Sequence, residues 1–270
     1  MTKITVLNDN RNDKCELENE HGFSIYIEVD KYKLLLDSGQ SDIFVKNADK
    51  LGIDLDKLDA IILSHGHYDH GNGLKYIRKK TKLIMHPLCV SNRVSKRTGN
   101  YGGINQSLEE LEEKFELIQS VDSYEIFDDI YFLGQIERKN DYEAKSFPMI
   151  VDNGQDDIAL DDTGCAIKTK EGIIVISGCA HSGICNTVEH AKKVTGENRI
   201  LAVMGGFHLK AVDESCMQTI KYLKENNAQY IYLGHCTSDA VCDEFIKCMG
   251  DKVKVMKVGD SYKVSYDKKR

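Results

Sequence analysis

Between positions 61 and 74, in IILSHGHYDHGNGL, three of the nine histidines and an aspartate fall within six residues: His65, His67, Asp69 and His70. Imidazole nitrogens and a carboxylate at this density are metal ligands by type, and an H-x-H-x-D-H run is too ordered to arise readily by chance. His65 and His67 stand two apart after an apolar run, so in an extended stretch both rings leave the chain on one side. Asp69 and His70 follow where the chain turns, and project differently. That division suits two neighbouring cations better than one. Imidazole and carboxylate without thiolate suit Zn2+, Fe or Mn, and one or two Zn2+ ions are the first expectation. A cation held this way lowers the pKa of a bound water toward about 7 and polarises an oxygen that gains charge, which is the chemistry of hydrolysis.

Such ligands need rigid elements to carry them. LDAIILSH reads as a buried strand that ends in His65, and three later strands end in the same manner. IIVIS runs into GCAHSG and His181, ILAVM into GGFH and His208, and YIYL into GHCTS and His235. Open sheets place ligand sites at the carboxyl ends of their strands, so four such ends can converge on one cleft.

The other elements form a mixed α/β pattern. KITVLND, GFSIYIEVD and YKLLLDSG are strands, SDIFVKNADKLG a helix closed at Gly52, GLKYIRKK a helix and TKLIMHP a strand. SLEELEEKFELI carries a capping box, Ser107 with Glu110, and reads as a helix. YEIFDDIYFLGQI reads as two short strands around a turn, and the acidic stretch 140–162 as surface loops. CAIKTKEGIIVISG reads as a hairpin turning at Glu171-Gly172. NTVEHAKKVTG reads as a helix opened by Asn186 with Glu189 at the capping position, and two further helices lie over DESCMQTIKYLKENN and SDAVCDEFIKCMG. KVKVMKVGDSYKVSY is expected to be a terminal strand pair. No compositional break marks a linker, so one domain over 1–270 is the expectation, with a less regular insertion around 91–160.

The formal charge is −7, from 36 basic and 43 acidic residues. An acidic balance disfavours non-specific nucleic-acid binding, which depends on Lys and Arg neutralising phosphates. No apolar run approaches the roughly 20 residues of a membrane span, and the opening residues lack the basic and apolar regions of a secretory leader. Nine cysteines without a C-x-x-C pair read as reduced thiols in a cytoplasmic protein. A homodimer is compatible with the sequence, which does not fix the oligomeric state.

SHGHYDHGNGL, with LLLDSG before it and GCAHSG and GHC after it, resembles the metallo-β-lactamase-fold superfamily. The resemblance extends over nearly the whole chain and implies a four-layer αββα sandwich with a dinuclear site at one edge. Carried onto this sequence, it implies that His65, His67 and His181 hold a first metal and that Asp69, His70 and His235 hold a second. Asp37 matches the buried strand-end aspartate that supports the site. Where the family places a metal-bridging Asp, this chain has His208, which either ligates one ion or contacts substrate. GGFHL, GCAHSGICNTV and GHCTS narrow the resemblance to the 7,8-dihydropterin-6-yl-methyl-4-(β-D-ribofuranosyl)aminobenzene-5′-phosphate synthases. The resulting expectation is a metal-dependent hydrolase acting on a small phosphoester or other anion, with Asp69 and His208 as catalytic residues. The alternative is a transferase of the synthase kind, in which the metals stabilise a departing pyrophosphate. Oxygen- or nitric-oxide-reducing relatives carry Glu where His67 stands, and a fused flavodoxin domain; neither occurs here.

An anionic substrate calls for cationic partners. Arg93, Lys96 and Arg97, before a Gly-rich stretch, read either as a lid touching phosphate or as a solvated basic turn. Asn186, at the expected start of a helix past His181, reads either as an anion contact or as an ordinary cap. Tyr68 lines the cleft or faces solvent. Cys179 and Cys236 read as small packing residues near strand ends, with a thiolate-ligand or redox role as the alternative, and His21, His86 and His190 as surface or hydrogen-bonded histidines.

Overall fold

The computed structural model describes residues 2–145, 149–151 and 154–264. Strands and helices are numbered here in chain order. One seven-stranded sheet contains β1 (Thr2–Asn8), β2 (Ser24–Val29), β3 (Tyr32–Leu36), β4 (Ala60–Ile62), β5 (Lys82–Met85), β7 (Glu116–Gln119) and β16 (Ser261–Val264). Its order is β16-β1-β2-β3-β4-β5-β7, with β3, β4, β5 and β7 parallel. The other holds β8 (Tyr124–Phe127), β9 (Ile130–Phe132), β11 (Gly164–Thr169), β12 (Gly172–Ser177), β13 (Ile200–Gly206), β14 (Tyr230–Gly234) and β15 (Val253–Val255). Its order is β15-β14-β13-β12-β11-β9-β8, with β12 to β15 parallel. A separate two-stranded ribbon joins β6 (Arg93–Ser95) and β10 (Met149–Val151).

Alternation along the strands explains how these sheets stack. Successive side chains point to opposite faces. Ile4, Ile25, Leu34, Ile62 and Ile84 of the first sheet therefore meet Phe132, Ile167, Ile174, Ile176 and Met204 of the second in one buried core. The opposite face of the first sheet, with Leu35, Ile61 and Leu83, covers Phe44 and Ala48 of α1 (Ile43–Lys50) and Leu111 of α3 (Leu108–Lys114). The outer face of the second, with Val175, Val203 and Ile231, buries three further helices: α4 (Ile184–Thr195), α5 (Glu214–Glu225) and α6 (Asp239–Met249). Helix, sheet, sheet and helix follow one another, so the αββα sandwich expected from the sequence is what the chain forms. Strands buried on both faces, such as GIIVIS, are apolar without interruption, as parallel strands between two layers must be.

Several local expectations change. GLKYIRKK forms only a 3₁₀ segment, Asn72–Tyr76, after the short α2 (Tyr68–Gly71), because Leu74 and Ile77 are buried by a single turn while Lys79 and Lys80 stay exposed. The helix with the capping box ends at Lys114, and the chain continues as β7 because β5 offers an open edge. The carboxyl-terminal strands do not pair with each other: β15 extends the second sheet and β16 the first. The last two residues of that expected pair, 265–266, lie outside the described residues, as do 146–148 and 152–153 of the expected surface loop. The remainder of that loop is not all surface, since Glu143, Asp157, Asp161 and Asp162 are buried.

Candidate metal centre

The carboxyl ends of β1, β3, β4, β12, β13 and β14 lie along one edge of the sandwich and supply the polar groups found there. Asp37 follows β3, His65 and His67 follow β4, and α2 carries Asp69 and His70. His181, His208 and His235 follow β12, β13 and β14. Asp37, Ala180, His208 and His235 all adopt left-handed backbone, with φ of +59°, +54°, +50° and +39°. Non-glycine residues are seldom held there, and such strain gathers where a side chain must be aimed. Gly178 marks where the two sheets touch, since a Cβ there would lie 2.0 Å from Ser64 Oγ and 2.7 Å from Asp37 Oδ2.

Imidazole and carboxylate donors gather in two places, with Cys179 Sγ also converging on His65 and His70 and, with Cys236, on His235. In the first, His65, His67 and His181 bring their ligand atoms within 4.8 Å of one another, with His65 Nε2 3.0 Å from His67 Nδ1. In the second, Asp69 Oδ2 lies 3.3 Å from His235 Nε2 and 3.8 Å from His70 Nε2, while those two nitrogens are 3.1 Å apart. His65 and His70 are fully buried and the other four nearly so.

Outer hydrogen bonds fix which nitrogen each ring turns inward. Asp37 Oδ2 takes the single hydroxyl hydrogen of Ser64 (2.7 Å), so Ser64 Oγ accepts Nδ1–H of His65 at 2.9 Å. The same carboxylate accepts Nδ1–H of His70 at 2.6 Å, and Asn10 Oδ1 accepts Nδ1–H of His235 at 3.1 Å. In their neutral forms His65, His70 and His235 then turn Nε2 toward the centre, where His67 Nδ1 lies 3.0 Å from His65 Nε2 and Cys179 Sγ 3.2 Å from His70 Nε2. His70 Nε2 and His235 Nε2 stand 3.1 Å apart, and His67 Nε2 and His181 Nε2 are buried without hydrogen-bond partners, which a cation would satisfy. A donor set of this kind, with carboxylate or amide oxygens behind the imidazoles, fits a metal site.

The ionisation states agree. Burial pushes His65 and His181 well below the ordinary imidazole value, and neighbouring imidazoles push them further. Neutral rings are what a metal requires. Burial works to raise Asp69, but His70, His21 and His235 outweigh it and keep the carboxylate ionised well below its usual range. His235 differs: burial works to lower it, but a hydrogen bond to Asp69 raises it on balance, and a cation bound there would displace the Nε2 proton that makes this bond.

Residues 18–86 match the family model described as the metallo-beta-lactamase superfamily. The chain is 35% identical, over 239 residues and 81% of each chain, to the 7,8-dihydropterin-6-methyl-4-(β-D-ribofuranosyl)-aminobenzene-5′-phosphate synthase of Methanocaldococcus jannaschii. The chain belongs to the metallo-β-lactamase superfamily. Among solved structures, a metal-dependent hydrolase of this superfamily superposes with a TM-score of 0.86 at 31% identity, covering 98% of this chain and 100% of its own. The Zn2+-bound PqqB of Methylobacterium extorquens shares the fold at a TM-score of 0.56 and 12% identity, over 97% of this chain and 99% of its own. The superfamily is one of enzymes, and proteins of this fold bind metal ions.

The remaining sequence candidates fall in different places. Asp37 orients His70 and, through Ser64, His65. His208 is half-buried, its ring 4.3 Å from that of His181, and it stands outside the groups of convergent donors found among the described residues. It lines a cavity of about 340 Å³ beside the centre, with Tyr142, Lys145, His181, Lys210 and Ser215.

The basic stretch corrects an expectation. Arg93 is 1% exposed, and its guanidinium pairs with Asp157 and Asp161, both at 2.6 Å. Arg93 Nη1 also donates to Gly66 O (3.2 Å), while Gly66 N–H donates to Asp161 Oδ2 (2.7 Å). Arg93 therefore braces the backbone between His65 and His67 and has no face left for a substrate. Lys96 is paired with Asp156 at 2.6 Å, and Arg97 lines a second cavity with Tyr68, Tyr101 and Met149. Asn186 lies within α4, whose cap is Gly183. Its side chain is consumed by the backbone of Ser182, Lys139 and Asn140, so it offers no anion contact.

The sequence reads His21 as a surface or hydrogen-bonded histidine and does not single out Asn10. His21 Nε2 lies 3.1 Å from Asp69 Oδ2, and Asp9 accepts the His235 N–H at 2.6 Å. Asn8, Asp9 and Asn10 close β1, so the strand-end rule, applied to that strand as well, would have found this flank.

Proposed function

We propose that the chain is a metal-dependent hydrolase acting on a small phosphorylated anion. The observation that supports it most is the convergence of imidazole nitrogens and the ionised Asp69 beside a cavity lined by Lys145 and Lys210. His65, His67 and His181 would hold one cation, and Asp69, His70 and His235 a second. Such N and O donors suit Zn2+ first, and Fe or Mn as well. Divalent cations supply Lewis acidity there, drawing charge from an attacking water and from a phosphoryl oxygen.

The chain's own residues complete the scheme. Asp69, kept ionised, accepts a hydrogen bond from the water and holds it toward the cavity. His208, lowered by burial and so neutral near pH 7, presents its ring at the cavity wall where a substrate oxygen can meet it. Lys145 and Lys210 neutralise the substrate's remaining charge as ammonium donors. Nine free thiols support a reducing compartment such as the cytoplasm. No helix among the described residues is long and apolar enough to cross a membrane. Neither a membrane nor nucleic acid enters this reading.

A second reading is favoured by the 35% identity to the Methanocaldococcus jannaschii synthase. The same groups would then stabilise pyrophosphate as it leaves a dihydropterin, with an aminobenzene ribofuranosyl phosphate as acceptor.

Turnover of 4-nitrophenyl phosphate and bis(4-nitrophenyl) phosphate by zinc-reconstituted protein tests the hydrolase. Asp69→Asn is expected to lower the rate on the order of 10²-fold or more, with the far-UV circular dichroism unchanged. Equal rates in variant and parent, or a metal-loaded parent inert toward phosphomonoesters and phosphodiesters, contradict it. Pyrophosphate released only when the arylamine is present marks the transferase instead.

A further inference from the structure

His21 sits in the loop between β1 and β2, where its backbone is tied on both sides. Its carbonyl accepts from Gln40 Nε2 at 2.8 Å, and Gly22 N–H donates to Asn10 Oδ1 at 3.2 Å, the oxygen that also receives His235 Nδ1–H. Phe23 N–H donates to the carbonyl of Asp69 at 3.2 Å. Gly22 has φ +146°, and a Cβ there would lie 2.5 Å from that same carbonyl. A side chain at position 22 would hold the loop off the α2 turn. The loop is therefore shaped to bring His21 against Asp69, although the ring itself is 54% exposed. His21 Nε2 is 3.1 Å from Asp69 Oδ2, the His21 and His235 rings are 5.2 Å apart, and the ligand atoms of His21, Asp69 and His235 lie within 4.8 Å of one another.

We infer that His21 is a ligand of the second cation, giving that cation four protein donors: His21, Asp69, His70 and His235. The inference rests on the metal centre proposed above. It follows from a shortage elsewhere in the site. His208 stands where the superfamily's bridging carboxylate is expected, and an imidazole cannot bridge two ions as a carboxylate does. Each cation must then be held by its own donors. The second gains its fourth from the β1–β2 loop, while the first keeps three histidines. Protein sites with four ligands are closed and structural, whereas three-ligand sites leave a position for water or substrate. The two cations thus divide the work. The first, beside His208 and the cavity, is the reactive one, and the second pins the β1–β2 loop, α2 and the β14 end together.

Cobalt titration of the metal-free protein, read by elemental analysis and by competition with a chelator, tests this without any assay of activity. The parent is expected to bind two equivalents. His21→Ala and His21→Gln are expected to keep the tighter equivalent and to lose the other by more than the roughly 10–100-fold that removing an outer hydrogen bond costs. Glutamine separates the roles, since its amide N–H can hydrogen-bond Asp69 but cannot replace imidazole as a ligand. Parent-like affinity for both equivalents in His21→Gln overturns the ligand role and makes His21 a hydrogen-bond partner only. One equivalent in the parent overturns the second site, and none overturns the metal centre along with it.

Discussion

Two regions rich in charged and polar residues behave in opposite ways. At the strand ends, Ser64, Asp37 and Asn10 hold the Nδ1 side of His65, His70 and His235 and turn their Nε2 atoms inward, while His67 Nε2 and His181 Nε2 are buried with no hydrogen-bond partner. Among the described residues from 91 to 162, several buried charged groups are answered from within the chain. Arg93 is shared by Asp157 and Asp161, and Glu143 accepts from the backbone N–H of Cys185 and Asn186 at the start of α4. A cluster whose members satisfy one another is structural. A cluster with buried imidazole nitrogens left without hydrogen-bond partners, as at His67 and His181, calls for something from outside. The two regions meet at Gly66, where Arg93 and Asp161 grip the peptide between the first two histidines.

The largest expected effect breaks the self-satisfied region. Arg93→Ala leaves two buried carboxylates without their cation and should lower stability by about 3–5 kcal/mol in denaturant unfolding. Slack at Gly66 should also weaken the affinity of His65 and His67 for metal. A loss under about 1 kcal/mol would mean that water replaces the guanidinium at little cost, and that the contrast between the regions is overdrawn.

A smaller effect sharpens the same contrast through pH. Burial raises the Glu143 carboxyl above its ordinary value, outweighing its hydrogen bonds from Asn140, Cys185 and Asn186. Its contribution is fully present below the unfolded pKa of about 4.3 and is lost as pH rises from there through the folded value. Glu143→Gln cannot ionise, so its stability should fall less than the parent's across that window. The difference should be on the order of 1.4 kcal/mol for each unit of the shift. Parallel pH profiles would show that Glu143 is not held in the protonated form.

What could be read from the sequence follows from how local each signal is. H-x-H-x-D-H lies within six residues, and the strand-end rule reached His181 and His235 because each follows its own apolar run. The sandwich was legible because the order of motifs along the chain resembles that of a known fold. Arg93 was misread because one of its partners, Asp157, is 64 residues further on, so it resembles a solvated basic turn when viewed alone. His21 reads as an ordinary surface or hydrogen-bonded histidine because the signal lies in its loop and not in its strand. Gly22 and Asn10 make sense only once Asp69 and His235 are known to be adjacent. Asn186 was displaced by three positions because Gly183, with φ +95°, caps α4 with no side chain to announce it.

The central claim is that histidines from separate strand ends share a cation. Anomalous diffraction at the zinc edge, from crystals of the metal-reconstituted protein, tests it most directly. The expected result is a peak within bonding distance, about 2.0–2.1 Å, of His65 Nε2, His67 Nδ1 and a ring nitrogen of His181. Full zinc occupancy elsewhere in the crystal, with no peak among those three rings, would contradict it.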